Sequence, residues 1–246
     1  MTSERHHFVI SSRNTNGKCF TLDGTEAHHL CRVARLGVGD EVFLLDLTGS
    51  AHRASIETIE TGVVSGRILE TRENYHESLP RLHLGTGILK GANMDTVVEK
   101  GTELGVYSMT PLTMKHNVKK GFRRERFEKI AESATKQCGR GHVPAIMEPM
   151  PFSEWCFRLK SKCAAVADNS VTSIPFREWL GNQRKELGDI WLTVGPEGGY
   201  HEEELKVITK NDLTRVSLGP RRLRSETAAV ALLAVCGIHF SDGRPT

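Results

Sequence analysis

Two stretches near the end of the chain carry the residue types for ligand chemistry. One reads Thr193-Val194-Gly195-Pro196-Glu197-Gly198-Gly199-Tyr200, the other Ser217-Leu218-Gly219-Pro220-Arg221-Arg222-Leu223-Arg224-Ser225-Glu226-Thr227. Each follows a short apolar run, Ile190 to Val194 and Leu213 to Leu218, and precedes a helical pattern. Open α/β sheets hold their ligands just beyond the carboxyl ends of the strands. Proline fixes the local backbone, and glycine lets it bend or come close to a ligand. Either loop alone also reads as an ordinary strand-to-helix turn, since a glycine-rich turn is a weak signal by itself.

The elements that must position these loops begin at Arg81. Leu82 to Leu89 is strand-like, Met94 to Leu104 helical and Val106 to Met114 strand-like again. Phe122 to Cys138 is helical, with Phe122, Phe127, Ile130, Ala131 and Ala134 on one face. The alternation continues through Ala164 to Ala167, Phe176 to Leu187, Ile190 to Val194, Glu202 to Thr209 and Arg215 to Leu218. That pattern predicts a parallel α/β sheet. The last helix, Ser225 to Phe240, is apolar nearly all round and must be buried on most sides. A core or a subunit interface would bury it, and the expectation is a homodimer.

The first 70 residues differ. Phe8 to Ile10, Lys18 to Leu22, Glu41 to Leu45, Ala51 to Ile59 and Val63 to Leu69 are β-rich, divided by Asn-Gly, Asp-Gly, Gly-Asp and Thr-Gly punctuation. Glu26 to Arg35 reads as one helical stretch. Several short strands in so little chain predict a small barrel. The polar segment Thr71 to Pro80 reads as a linker, so the expected domains are 1–73 and 74–246.

Other chemistries are excluded on spacing. Gly85-Thr86-Gly87 with Gly91 is G-x-G-x-x-x-G, with no acidic residue placed to hold a ribose, so it is not a nicotinamide site. No phosphate-binding G-x-x-x-x-G-K-[ST] occurs. His6-His7 and His28-His29 are adjacent pairs that share no face, so no metal site is expected. The six cysteines form no C-x-x-C, as for reduced thiols in a cytosolic protein. No apolar run reaches the roughly 18 residues of a membrane span, and MTSERHHFVI shows no secretory pattern, so a cytoplasmic protein is expected.

Net charge is only +3, but it is unevenly placed. Residues 1–78 carry 8 Lys and Arg against 11 Asp and Glu, whereas Lys115 to His142 alone carries 9 against 3. A localised basic stripe is the footprint of a polyanion partner, with a solvated helix face as the plain alternative.

Taken together, the motifs resemble a known family. GPEGGY and LGPRRLRSETA resemble the two cofactor loops of the SPOUT-class RNA methyltransferases, most closely the ribosomal small subunit methyltransferase E family. HHLCRVARLGVGDEVFLLD, LKGANMDTVVEKGTELGV and KQCGRGHVP resemble that family's N-terminal, opening catalytic and middle segments, in the same order. Two positions depart: Lys136 stands where Glu is usual, and Tyr200 where Phe is common. The resemblance implies a SPOUT-type parallel sheet with a C-terminal trefoil knot, plus a small N-terminal PUA-like β-barrel domain. It implies S-adenosyl-L-methionine as cofactor, held by Val194, Gly195, Glu197, Gly198, Gly199, Ser217, Leu218, Gly219 and Leu223. Leu218 and Leu223 would wall the adenine, or serve as plain core packing.

The implied reaction is methylation of N3 of a uridine in 16S ribosomal RNA, within the small ribosomal subunit. That nitrogen carries a proton at neutral pH, so the site must position both partners and assist deprotonation. The base must also be unpaired or flipped out. Base candidates are Glu197 and Glu226, and Arg224 would steady the developing charge or bind a phosphate. Glu226 has a structural alternative in the first turn of the last helix, where a carboxylate suits the dipole, and Glu197 could instead tie down its own loop. For the RNA face the candidates are Gln137 and Arg140, with Lys119, Lys120, Arg123, Arg124 and Arg126 on phosphates and Arg32 and Arg35 in the N-terminal part. Ribose 2′-O methylation, or a non-catalytic RNA-binding or assembly role, are the rival readings.

Overall fold

The computed structural model describes residues 6–77, 80–117, 121–183 and 188–240. Chain packing separates two compact units: one runs to Glu77 and takes in Thr135–Val143, and the rest of the described chain forms the other.

The first unit is a six-stranded sheet in the order β1-β4-β5-β6-β3-β2. Its strands are β1 (His7–Val9), β2 (Thr15–Asn16), β3 (Cys19–Leu22), β4 (Glu41–Leu45), β5 (Ser50–Glu60) and β6 (Val63–Glu73). The expected small barrel is realised as this sheet, curled around Phe8, Phe20, Leu22, Leu30, Leu44, Ile56 and Val64. β5 and β6 form a long hairpin closed by Gly62, whose φ of 78° suits glycine. The β6 pairing continues to Glu73 and so takes up the start of the polar stretch read as a linker. The expected helix over Glu26 to Arg35 divides in two: α1 (Gly24–His28) runs into a π-helical turn, His29–Val33, and Arg35 leaves it at φ 56°.

The middle motif packs into this unit through its glycines. Gly49 donates to the Gly141 carbonyl at 3.0 Å, Gly141 to Tyr75 at 2.9 Å and Tyr75 back to Gly49 at 3.0 Å. A Cβ on Gly139 would stand 2.6 Å from the His7 ring, and one on Gly141 would stand 2.8 Å from the Gly49 oxygen. A side chain on Gly141 would force this closed set of backbone bonds apart, and one on Gly139 would displace the His7 ring.

The second unit is a parallel sheet in the order β10-β8-β7-β13-β11-β14-β12, with β9 paired to β8. Its strands are β7 (Arg81–Gly87), β8 (Val106–Thr113), β9 (Ala145–Ile146), β10 (Met150–Pro151), β11 (Ala164–Ala167), β12 (Ile174–Pro175), β13 (Asp189–Val194) and β14 (Thr214–Ser217). The helices are α2 (Ala92–Glu103), α3 (Arg124–Cys138, whose residues from Thr135 on belong to the first unit), α4 (Phe152–Leu159), α5 (Phe176–Gly181), α6 (Glu202–Lys210) and α7 (Ser225–Phe240). Strand–helix alternation produced this layout, as expected from the sequence. The sequence reading passed over α4, although Phe152, Trp155, Cys156 and Leu159 are buried at helical spacing. Burying Phe152 and Leu159 contributes roughly 1.5–3 kcal/mol each. α5 ends at Gly181, and the tail of its expected span falls on residues 184–187, outside the described residues.

The Gly85-Thr86-Gly87 decoy has a packing role. A Cβ on Gly85 would lie 2.5 Å from the Trp155 ring, and one on Gly87 would lie 2.6 Å from the Pro196 nitrogen. The bare backbone of β7 thus lets α4 and the loop after β13 settle on it, and Trp155 Nε1 donates to Thr193 Oγ1 at 2.9 Å.

Candidate functional site: a three-loop pocket at the strand ends

In the sheet order β11 lies between β13 and β14, so three parallel strands end side by side. Their loops enclose a cavity of about 420 Å³. One wall comes from Val194 to Tyr200, a second from Leu218 to Leu223, and a third from Ala167 to Ser170, with Ser225 and Ala228 of α7 completing it. A volume of this size, lined by backbone and a few polar groups, suits a small cofactor.

Each glycine loop is shaped locally. Gly199 donates to the Pro196 carbonyl at 2.9 Å and takes φ 72°, which makes a tight turn that L side chains resist. Gly219 takes φ 118°, and its amide donates to Ser217 Oγ at 3.2 Å. Gly195 has another constraint: a Cβ there would stand 3.2 Å from the Tyr200 ring. Gly198 faces away from the cavity and accommodates His116, whose Nδ1 lies 3.2 Å from the Gly199 oxygen. Of the residues assigned to the cofactor, Val194, Gly195, Glu197, Gly199, Leu218 and Leu223 line the cavity, whereas Gly198, Ser217 and Gly219 shape the loops behind it.

Tyr200 lines the wall with a buried hydroxyl. Burial, and secondarily the nearby Asp168 charge, hold this phenol well above its ordinary range, so it stays protonated. The Gly195 amide opposes this shift only weakly, and the buried phenol hydroxyl has no hydrogen-bond partner among the described residues.

The three charged candidates differ. Glu197 Oε1 accepts from the Lys90 amide at 3.0 Å, which ties the loop after β7 to the pocket, and its Oε2 is buried without a partner. Arg224 is 84% exposed, and its guanidinium lies 4.0 Å from Glu226 Oε1. The Glu226 side chain is only 12% exposed, with Oε2 buried and unmatched, in the first turn of α7.

The residues assigned to RNA separate into open and engaged groups. Arg32, Arg35, Arg123 and Gln137 are exposed. Arg124 pairs with Glu128 at 2.7 Å and Glu148 at 3.0 Å, and Arg126 with Asp95 at 2.6 Å. These are surface pairs, which leave the cations in contact with solvent. Arg140 differs from its expected place on an RNA face: its side chain is 4% exposed and grips Glu77 through two bonds of 2.9 and 2.6 Å. Lys136 lies 3.8 Å from Glu26. Lys119 and Lys120 lie outside the described residues. Among the described residues no group of His, Cys, Asp and Glu is placed to hold a metal ion, and no helix is long and apolar enough to cross a membrane.

Sequence reading found the two glycine loops and missed the third wall. Ala167-Asp168-Asn169-Ser170 has no glycine and reads as a plain polar turn; only the placement of β11 between β13 and β14 makes it part of the site.

Known proteins resemble this chain in sequence and fold. A family described as "RNA methyltransferase domain" matches residues 76–237, and one described as "RNA methyltransferase PUA domain" matches residues 22–68. "Ribosomal RNA small subunit methyltransferase E" of Bacillus subtilis is 28% identical over 225 residues, covering 87% of this chain and 88% of its own. The protein of the same name from Buchnera aphidicola is 28% identical over 229 residues, covering 91% of this chain and 89% of its own. The crystal structure of a ribosomal RNA small subunit methyltransferase E from Neisseria gonorrhoeae, bound to S-adenosyl methionine, superposes with a TM-score of 0.81 at 27% identity, covering 97% of this chain and 99% of that one. A two-unit chain with a PUA match at one end and a strand-end pocket in the matched domain is accounted for by one assignment: it belongs to the RNA methyltransferase family.

Proposed function

We propose that this chain uses S-adenosyl-L-methionine to methylate N3 of a uridine in 16S ribosomal RNA, acting on the small ribosomal subunit as a cytoplasmic homodimer. The observation that carries the reading is the cavity of about 420 Å³ walled by three strand-end loops. The names of the relatives, and the donor bound in the Neisseria structure, support the substrate and the cofactor. Residues 1–73 are assigned to RNA binding and 74–246 to catalysis.

The residues present fit the donor. Gly195, Gly199 and Leu218 offer close backbone approach and an apolar surface, and the Tyr200 hydroxyl is a buried donor still lacking an acceptor. When bound, S-adenosylmethionine supplies a methyl group already activated by its sulfonium. The chain's own task is to orient the uracil and take the N3 proton. Glu226, with an unmatched Oε2, is assigned the proton, and exposed Arg224 beside it the charge that develops on the uracil oxygens. Glu197 holds the Lys90 loop against the pocket. Arg32, Arg35, Arg123, Arg124 and Arg126, with Gln137, are assigned to RNA contacts, most of them on phosphates. The homodimer reading is supported by α7, which leaves Val235 38% and Ile238 77% exposed on an apolar helix.

Transfer of tritiated methyl from the donor to small-subunit RNA, followed by nucleoside mass spectrometry, tests the reading. N3-methyluridine is expected. A 2′-O-methylated nucleoside would replace the proposed atom, and failure of the chain to bind the donor at all would leave an RNA-binding role.

A further inference from the structure

The third wall carries a side chain that no glycine motif announces. Asp168 follows β11 directly, and its amide donates to the Val216 carbonyl at 3.0 Å, which fixes the residue against β14. Its Oδ2 accepts from Arg215 Nη1 at 3.3 Å, and Arg215 Nη2 donates to Thr172 Oγ1 at 2.6 Å. The carboxylate is 18% exposed. Oδ1 makes no hydrogen bond among the described residues and is not sealed from solvent. The neighbouring Asn169 accepts from Ser217 Oγ at 3.3 Å, which ties this wall to the second loop. The other acidic wall residue, Glu197, has one oxygen on the Lys90 amide and the other buried. Asp168 therefore brings an open carboxylate oxygen to the cavity, held in orientation by Arg215.

The same cavity is lined by Arg221 and Arg222, both exposed. One wall thus offers an anion and another two cations, a pattern that complements a zwitterion. We infer that Asp168 receives the α-ammonium of the donor's amino-acid tail, with the tail's carboxylate turned toward Arg221 and Arg222. This rests on the donor being S-adenosylmethionine. An ammonium has three N–H donors and no acceptor, so in a sheltered site it needs an oxygen such as Oδ1. The bond is charge-assisted, stronger than a neutral one. Arg215 acts as a positioning residue through the other oxygen.

Calorimetry on the full chain tests the assignment with three probes: S-adenosylmethionine, S-adenosylhomocysteine, and 5′-methylthioadenosine, which keeps the adenosine but lacks the amino-acid tail. In Asp168→Asn the first two should bind about tenfold more weakly, the scale of one lost hydrogen bond to a charged group, and methylthioadenosine should bind as in wild type. Equal weakening of all three in a variant that melts like wild type would give Asp168 to the adenosine instead and overturn the inference, as would no change at all. Arg215→Gln, which keeps the carboxylate but frees it to turn, should weaken only the two tailed ligands, and by less. A wild-type chain that binds none of the tailed probes would sink the donor reading itself, a result distinct from these.

Discussion

The two ends of the parallel sheet in the second unit are built from different materials. At the carboxyl ends of β11, β13 and β14 the chain offers bare backbone, with Gly195 and Gly199 lining a cavity and Gly219 shaping the loop behind it. At the amino ends of β7, β8 and β13 it offers interlocked side chains. His83 stacks on Trp191 with centroids 3.9 Å apart, and its Nδ1 and Nε2 meet Ser108 Oγ at 2.7 Å and Asp189 Oδ1 at 3.0 Å. Lys162 Nζ lies 4.1 Å over the Trp191 ring. The His83 set has the composition of a hydrolytic triad, yet the residue is only 7% exposed and its ring is covered by Trp191, so it serves cohesion. One end of the sheet is shaped to receive something, and the other to hold the strands together.

That contrast breaks if function and stability do not separate. The largest effect is expected for Arg224→Ala: loss of about 10²–10³ in methyl transfer, the scale for removing one electrostatic stabiliser, at unchanged melting temperature. Its 84% exposure means that little packing is lost. Wild-type turnover would take Arg224 out of the mechanism. Next comes Gly195→Val. Its Cβ would stand 3.2 Å from the Tyr200 ring, and its methyl groups would intrude on the cavity. Donor affinity measured by calorimetry should fall about a hundredfold, near 2.7 kcal/mol. Retained affinity would mean that the loop is not the binding surface.

At the opposite end the expected signs reverse. His83→Ala removes a buried stack and two hydrogen bonds, at a cost of about 2 kcal/mol of stability, while donor affinity stays at the wild-type value. Thermal melting with and without donor measures both. A variant that melts normally but binds weakly would join the two ends and erase the distinction.

How far the sequence disclosed this arrangement follows from the range of each signal. The glycine loops and strand–helix alternation are local, so Val194 to Gly199 and α2, α3, α6 and α7 were legible. The Asp168 wall was not, because β11 reaches its neighbours through the strand order rather than through sequence proximity. The middle motif put Arg140 on the RNA face, whereas its partner Glu77 lies 63 residues away and such pairing is invisible to a local motif. The helix expected over Glu26 to Arg35 divided because periodicity does not register a π turn. A trefoil knot is a property of threading, which no window of residues encodes; resemblance alone suggested it.

The smallest expected effect sharpens the comparison through pH. Burial, the dominant influence, lowers the His83 pKa below its ordinary 6.5, although Asp189 pulls it back up. Asp189 as acceptor and Ser108 as donor select a neutral ring with its proton on Nε2. Because the folded protein resists protonation there, the unfolded chain binds more protons once the pH drops below 6.5. The stability contributed by neutral His83 is therefore complete above that value and declines as acid is added through the interval down to the folded pKa. Melting temperatures at pH 7.5 and 5.5 should fall further in wild type than in His83→Gln, by less than the His83→Ala loss, because protonation leaves the stack in place. Equal pH dependence in the two proteins would show that another group governs the acid limb, and the amino end of the sheet would then be cohesive without being titratable.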